Sequence, residues 1–199
     1  MTLVPTQQVP ALDLPLNGGG STTDLNLGTG ADGRFTMVVF YRGLHCPVCR
    51  KQLGEINRRL DDLAEAGVGR VVAISMEDEA RSASVSEEWK LDKLSVAHGL
   101  TEADAREWGL FISHSIKDGE PEVFSEPGMF ILDSDGSLFW SAVATMPFGR
   151  PPLDEVIAGL QFAQSDGYPA RGNHRASATL MRGREGLGTS LLPGRSSAE

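Results

Sequence analysis

The chain has 199 residues, of which 40% are apolar and 23% charged, so it is long enough for one well-packed globular domain. Its formal net charge of −9 disfavours a nucleic-acid-binding protein, which would need a basic surface. The sequence has no apolar run of membrane-spanning length and no secretory signal, so we expect a cytoplasmic protein with no membrane partner.

The first predicted elements are a hairpin and a buried strand. Residues 9–16 alternate loosely and contain prolines, which is typical of an edge strand, and the glycines of residues 17–20 predict a turn. Residues 22–27 are the predicted returning strand. Residues 36–41 (TMVVFY) form a continuous apolar run rich in β-branched and aromatic side chains, which predicts a central strand buried on both faces.

The next segment predicts a strand–helix–strand unit. Apolar residues recur every three or four positions over residues 47–66, which predicts one helix, and Gly67 is its predicted end. Residues 69–75 (GRVVAIS) predict a second buried strand. Because a helix separates the two strands, we expect them to be parallel neighbours in one sheet.

The second half of the chain predicts further strands and helices and then a tail. The predicted elements are a helix within residues 77–93, a strand at 94–97, a helix from Thr101, a loop at 113–126, a hairpin of strands at 129–132 and 137–143, and a helix at 152–164. Residues 170–199 are rich in Gly, Ser and Arg and show no periodicity. The sequence therefore predicts a single α/β domain at residues 1–169, with a mixed sheet flanked by helices, and a mostly disordered tail at residues 170–199.

The two cysteines of the chain, Cys46 and Cys49, lie between the first buried strand and the helix that follows it. Pro47 suits the first turn of that helix, where its missing N–H costs nothing. Both sulfurs are therefore expected near the helix N-terminus. Free N–H groups and positive potential at that end favour the thiolate, which is the reactive form of a cysteine.

This CxxC pair has three interpretations. A redox dithiol is favoured because the pair lies within a strand–helix–strand unit. A structural zinc site would need four ligands, and the chain has no second CxxC and no histidines at ligand spacing. Two inert buried cysteines are the third interpretation. The glycine clusters near the N-terminus do not lie between a strand and a helix, as a dinucleotide-binding loop would, so we expect no nucleotide cofactor. We also expect no metal.

The segment VVFYRGLHCPVCRKQL resembles the active-site segment of thioredoxin-fold redoxins, specifically the AhpC/TSA peroxiredoxin-like family. The resemblance extends over about residues 9–165. It implies a thioredoxin-like fold and an oxidoreductase that acts by thiol redox chemistry on a disulfide or peroxide substrate. It also implies re-reduction by an external thiol donor, such as a thioredoxin or glutathione system.

The resemblance assigns the two cysteines in two different ways. Compared with thioredoxins, Cys46 is the exposed attacking thiol and Cys49 the buried resolving thiol, and Pro127 is the cis-proline that faces the dithiol. Compared with peroxiredoxins, Cys49 is the peroxidatic cysteine. Arg42 then replaces the family's proline, Cys46 replaces its threonine, and Pro127 stands where the family has its arginine.

These departures favour dithiol–disulfide exchange with Cys46 as the attacking thiol. A peroxidase with Cys49 as the peroxidatic residue is an alternative, and so is a non-enzymatic redox sensor or binding module. His45 either tunes the thiolate and carries protons, since its ordinary pKa is near ~6.5, or is a partly exposed side chain without a catalytic role. Arg42 either stabilises a thiolate or is a solvated loop residue.

Overall fold

The computed structural model describes residues 3–23 and 33–174. Its helices and strands follow the predicted order closely. They are β1 (Phe35–Phe40), α1 (Pro47–Arg58), α2 (Leu60–Glu65), β2 (Val68–Ile74), α3 (Glu79–Glu88), β3 (Ser95–Ala97), α4 (Glu102–Glu107), β4 (Ile112–His114), β5 (Val123–Ser125), β6 (Gly128–Leu132), β7 (Leu138–Val143) and α5 (Leu153–Ser165).

The main sheet has five strands in the order β3-β2-β1-β6-β7. Strands β1, β2 and β3 are parallel, whereas β6 is antiparallel to both β1 and β7. This confirms the predicted mixed sheet. Strand β1 is central, and all six of its residues are buried. Because both of its faces are covered, its side chains are apolar almost without interruption.

Two apolar cores cover the two faces of the sheet. One core contains Met37 and Val39 from β1 together with the apolar faces of α1, α2, α3 and α5. The other contains Val38 and Phe40, the helix α4 and the N-terminal segment around Leu14. The alternation of β1 side chains between the two cores follows from the two-residue repeat of a strand. Both cysteines belong to the first core.

The predicted helix at residues 47–66 and the predicted loop at residues 113–126 differ from the structure. The single helix predicted over residues 47–66 is interrupted at Arg59, whose φ of −114° and ψ of 24° lie outside the α-helical range. The Arg59 side chain pairs with Asp62 and with Asp154 of α5, a distant contact that no local periodicity reveals. The loop predicted at residues 113–126 contains the antiparallel pair β4–β5. Its strands have three residues each, too short to show an alternating pattern.

The N-terminal hairpin is present as a tight turn rather than as two full strands. Pro15 pairs with Ser21 in an isolated bridge, and Thr22 N donates to Leu14 O at 2.8 Å. The predicted returning strand lies outside the described residues from position 24 onward, and the predicted disordered tail lies outside them from position 175 onward. No helix in the described ranges has both the length and the apolarity needed to cross a bilayer.

Candidate active site

The carboxyl end of β1 and the start of α1 position the two cysteines. Cys46 is the N-cap of α1, with extended backbone angles, and Pro47 opens the helix. The Cys46 sulfur accepts a hydrogen bond from Cys49 N at 3.3 Å, as a capping oxygen would do. Because the free N–H groups of the first turn point toward this end, they stabilise negative charge on sulfur.

The two sulfurs are in direct contact. Both cysteines are free thiols, and Cys49 Sγ donates to Cys46 Sγ across 2.7 Å. The Cys49 sulfur in turn accepts from Arg42 N at 3.4 Å. The two side chains are thus poised to share one proton and to form a bond with each other with little rearrangement.

A third residue, Arg150, completes the site and was not predicted from the sequence. Its Nη2 lies 3.0 Å from Cys49 Sγ and 3.9 Å from Cys46 Sγ. Its Nε donates to Pro147 O at 2.9 Å, and its Nη1 donates to Gln52 of α1. Pro127 stands where the family has its arginine, yet the site does contain a guanidinium. The guanidinium is supplied by the β7–α5 loop and not by the start of β6.

The electrostatics of the pair favour a thiolate on Cys46. The pKa of Cys46 is lowered to about 6, first because the Cys49 thiol donates to it, with further stabilisation by the Cys49 N–H and by Arg150. Burial raises the pKa of Cys49, which also holds its proton because that proton is donated to Cys46. The reduced pair therefore carries one negative charge and one proton near neutral pH.

Both sulfurs are shielded from solvent. Cys46 is 1% exposed and Cys49 0%. The predicted exposure of Cys46 is wrong, because a place at the end of a helix does not leave a side chain open when other segments fold over it. The arginine of the β7–α5 loop lies against both sulfurs, and the side chains of Leu44 and Val48 pack on the core around them.

His45 lies beside the dithiol in the sequence but packs away from it. Its ring lies 4.8 Å from the ring of Phe124, and neither ring nitrogen has a hydrogen-bond partner among the residues that the structure describes. Burial and the nearby Arg42 lower the pKa of His45 to about 4, so the ring is neutral at physiological pH. Within the described part of the chain, the hydrogen bonds of the two sulfurs do not include His45.

Arg42 supports the site through its backbone, while its side chain ties the active-site loop to the β4–β5 hairpin. The guanidinium pairs with Glu126 at 3.1 Å and with Glu120 at 3.8 Å, and it lies over the ring of Phe124. The backbone N–H of Arg42 donates to the Cys49 sulfur, and its side chain contributes to the low pKa of Cys46. The side chain is therefore largely buried and paired, and not a solvated loop residue.

A buried carboxylate holds the other side of the same loop. Glu77 Oε1 accepts from Leu44 N at 2.9 Å and pairs with Arg81 Nε at 2.9 Å. Glu77 is 4% exposed, and burial raises its pKa. Its Oε2 has no hydrogen-bond partner in the described part of the chain. The neighbouring turn is closed by Cys46 N, which donates to Gly43 O at 3.1 Å. Glu77 thus fixes the turn that delivers Cys46 to its capping position.

Pro127 directly precedes β6, and the peptide bond before it is trans, since the described residues contain no cis peptide bond. The expected cis-proline is therefore wrong. Pro127 instead continues the sheet ladder, where its carbonyl oxygen accepts from Ala144 N at 3.0 Å. It lines a small cavity of about 30 Å³ together with Gln52 and Arg150. Its contribution to substrate binding stays a prediction.

No cluster of three or more histidine, cysteine or acidic side chains suited to a metal ion is found within residues 3–23 and 33–174. The chemistry that this site offers comes from the sulfurs and the guanidinium. A thiolate that is hydrogen-bonded, desolvated and next to a second thiol can attack an electrophilic oxygen or sulfur and then be resolved by its neighbour.

Comparison with solved structures places the fold among peroxiredoxins. A cysteine mutant of peroxiredoxin 6 from Arenicola marina matches with a TM-score of 0.69 at 16% identity, over 83% of this chain and 76% of that one. Reduced Prx3 from Vibrio vulnificus in complex with hydrogen peroxide matches with a TM-score of 0.66 at 18% identity, over 79% and 99%. Peroxidoxin BcpB from Mycobacterium tuberculosis matches with a TM-score of 0.62 at 17% identity, over 80% and 97%. A search of curated proteins finds no match.

The mixed sheet, with a CxxC pair at the junction of its central strand and the following helix, defines a thioredoxin-like protein with a thiol site. Within that class, the AhpC/TSA family profile matches residues 5–141, more than half of the chain. The chain therefore belongs to the AhpC/TSA family, and its general activity is that of a thiol-based oxidoreductase.

Proposed function

We propose that the chain is a dithiol peroxidase in which Cys46 attacks a small peroxide and Cys49 resolves the product. The observation that carries this proposal is Arg150, whose guanidinium lies within 3.0 Å of one sulfur and 3.9 Å of the other. A cation at this place stabilises the thiolate and offers N–H donors to the oxygens of a peroxide, which gain negative charge as the O–O bond breaks.

The reaction balances with two external thiols as reductants. The Cys46 thiolate attacks one peroxide oxygen, the O–O bond breaks, and the leaving oxygen takes a proton, so that a sulfenic acid and an alcohol or water are formed. Cys49 then attacks the Cys46 sulfur, water leaves, and a disulfide is formed. Two external thiols return the disulfide to the dithiol and become a disulfide themselves. A reducing compartment such as the cytoplasm would supply them from a thioredoxin or glutathione system.

The burial of the sulfurs supports a small substrate. With exposures of 1% and 0%, neither sulfur is open to the disulfide of a folded protein without movement of the β7–α5 loop. Hydrogen peroxide and small organic peroxides make no such demand. The bound hydrogen peroxide in the Vibrio vulnificus structure points to the same class of substrate.

Dithiol–disulfide exchange is a second candidate, favoured by the 2.7 Å contact between the sulfurs. A CxxC pair at a helix N-terminus can reduce a small disulfide by attack from Cys46 and release of the mixed disulfide by Cys49. This reaction would use the same two residues and the same external thiols. Substrate preference would separate it from peroxide reduction.

The test uses the single variants Cys46→Ser and Cys49→Ser with hydrogen peroxide, read by intact mass and sulfenic-acid labelling. We expect Cys49→Ser to gain one oxygen atom on Cys46 quickly, and Cys46→Ser to react far more slowly. Fast oxidation of Cys49 in Cys46→Ser would instead assign the peroxidatic role to Cys49.

Steady-state turnover with a thiol reductant distinguishes the remaining alternatives. A reversible disulfide with negligible turnover on both peroxide and a small disulfide would indicate a redox sensor or binding module. If neither variant formed an adduct with either reagent, the thiol mechanism would be wrong. Arg50→Gln is the matched control for handling and oxidation, because Arg50 lies on the same helix as the cysteines and its guanidinium donates to Glu88 O, at 3.1 Å, and not to either sulfur among the described residues.

A further inference from the structure

The charge balance around Arg150 changes when the dithiol is oxidised. In the described part of the chain, Arg150 has no carboxylate within ion-pair distance, and its protein partners are the neutral Gln52 side chain, Pro147 O and the two sulfurs. The thiolate is thus the counter-ion of this guanidinium. A disulfide is neutral, so oxidation leaves a partly buried cation without a partner, which is unfavourable.

A groove leads from the surface to this guanidinium. It has a volume of about 300 Å³, and its lining includes Arg150, Gln52 and Met129 together with the charged residues Lys51, Glu55 and Asp154. Asp154 is already paired with Arg59. Arg150 and Lys51 balance Glu55 and Asp154, so the charged residues that line the groove sum to zero, whereas the whole chain carries −9.

We propose that the oxidised form binds a small anionic thiol in this groove, with its carboxylate or thiolate at Arg150, and that such a thiol is the reductant of the Cys46–Cys49 disulfide. This inference deepens the proposed function and rests on the same disulfide. The volume of the groove suits a small molecule. An anion at Arg150 replaces the charge that was lost on oxidation, and the reduced site, with its own thiolate, repels it.

The redox step is an ordinary thiol–disulfide exchange. The external thiolate attacks one sulfur of the Cys46–Cys49 bond, a mixed disulfide forms, and the other cysteine leaves as a thiolate beside Arg150. A second external thiolate attacks the mixed disulfide, which releases the oxidised reductant and restores the dithiol. Two electrons pass from the two thiols to the protein, and a thiolate returns to Arg150 as its counter-ion.

The experiment starts from the isolated disulfide form, prepared with diamide and verified by intact mass, so that it does not depend on peroxidase activity. Single-turnover reduction is measured at low salt with mercaptoacetate, 2-mercaptoethanol and cysteamine, which are anionic, neutral and cationic. Rates are compared per thiolate to remove differences in thiol pKa. We expect mercaptoacetate to exceed cysteamine by about tenfold, which corresponds to about 1.4 kcal/mol, and we expect added salt to reduce this ratio.

Three variants test the residue itself. In Arg150→Gln the ratio should fall to about one, and in Arg150→Lys it should be largely retained. In Arg50→Gln, which removes an equal charge from α1 outside the groove, the ratio should equal that of the native protein. A native ratio of one or less, as the overall negative charge alone would give, overturns the inference. So does a ratio that Arg150→Gln leaves unchanged.

Failure of the inference and failure of the proposed function are distinguishable. A chain that forms the disulfide and shows the expected order of thiols, but does not turn over peroxide, keeps the anionic-thiol site and loses the peroxidase function. A chain that turns over peroxide but reduces equally fast with all three thiols keeps the peroxidase function and loses the site. A chain that forms no disulfide with diamide loses both.

Discussion

The hydrogen bond from the Cys49 thiol to the Cys46 sulfur should set the acidity of the nucleophile. The variant Cys49→Ala removes this donor, which is the largest cause of the low Cys46 pKa, and leaves Arg150 in place. A hydrogen bond to a charged group contributes about 1.5–3 kcal/mol, and one pKa unit corresponds to about 1.4 kcal/mol. We therefore expect the pKa of Cys46 to rise from about 6 to about 7–8.

The assay is the pH dependence of alkylation by iodoacetamide, followed by intact mass. The midpoint of the profile is the readout, because the rate at one pH is ambiguous. A thiolate of higher pKa is less populated but also more nucleophilic, and the two effects partly cancel. Val48→Ala is the matched control, since it truncates a neighbouring side chain of the same helix turn whose atoms do not bond to either sulfur.

Two results would refute this reasoning. A Cys49→Ala midpoint that stays at about 6 would mean that the Cys49 thiol does not stabilise the charge on Cys46. A Cys46→Ala variant in which Cys49 titrates near 6 would place the thiolate on Cys49, where the N–H groups of Arg150 and Arg42 would stabilise it. The roles of attacking and resolving cysteine would then be exchanged.

Three further predictions concern the loop around the site. Burial raises the pKa of Glu77 above 4.5, so the stability that its protonated form contributes is lost as pH rises through the raised pKa. In urea titrations, Glu77→Gln should therefore gain stability relative to the native protein from pH 4.5 upward. A constant difference between the two proteins would contradict this. The pKa of His45 is lowered from 6.5 to about 4, so the native protein should lose stability relative to His45→Gln as pH falls through this window, while the midpoint of the Cys46 alkylation profile stays unchanged. Gly43→Ala should lower the free energy of unfolding by about 1–3 kcal/mol, which is more than Gly99→Ala. Both glycines have a positive φ, but of the two only a Cβ at Gly43 would meet Glu77, at 2.6 Å. Equal losses of unfolding free energy in the two variants would contradict the clash.

The local features of this protein are readable from the sequence because their causes are local. The apolar run of residues 36–41 predicted the buried central strand, and Gly67, with φ of +85°, ends the helical region as predicted. The position of Cys46 and Cys49 at a strand–helix junction was also predicted, since a proline at the first helical position and a helical stripe behind it are short-range signals.

The errors concern side chains whose surroundings come from distant segments. The sequence favoured disulfide exchange partly because Pro127 occupied the expected place of an arginine, yet Arg150 reaches the sulfurs from a loop 101 residues beyond Cys49. One weak signal was available, because Arg150 stands between a glycine and two prolines in a short loop, where the chain is held rigid. The exposure of Cys46 was wrong for the same reason, since helix position says nothing about which loop covers it.

The sequence by itself therefore determined the family, the α/β architecture and the place of the two cysteines at a strand–helix junction, because strand and helix periodicity and the CxxC spacing are properties of neighbouring residues. The tertiary structure decided the environment of those sulfurs: the guanidinium that faces them, the proton that Cys49 donates to Cys46, and the depth at which both are buried. These depend on the strand order β3-β2-β1-β6-β7, which brings the loop after β7 to the end of β1, and no spacing along the chain encodes that distance.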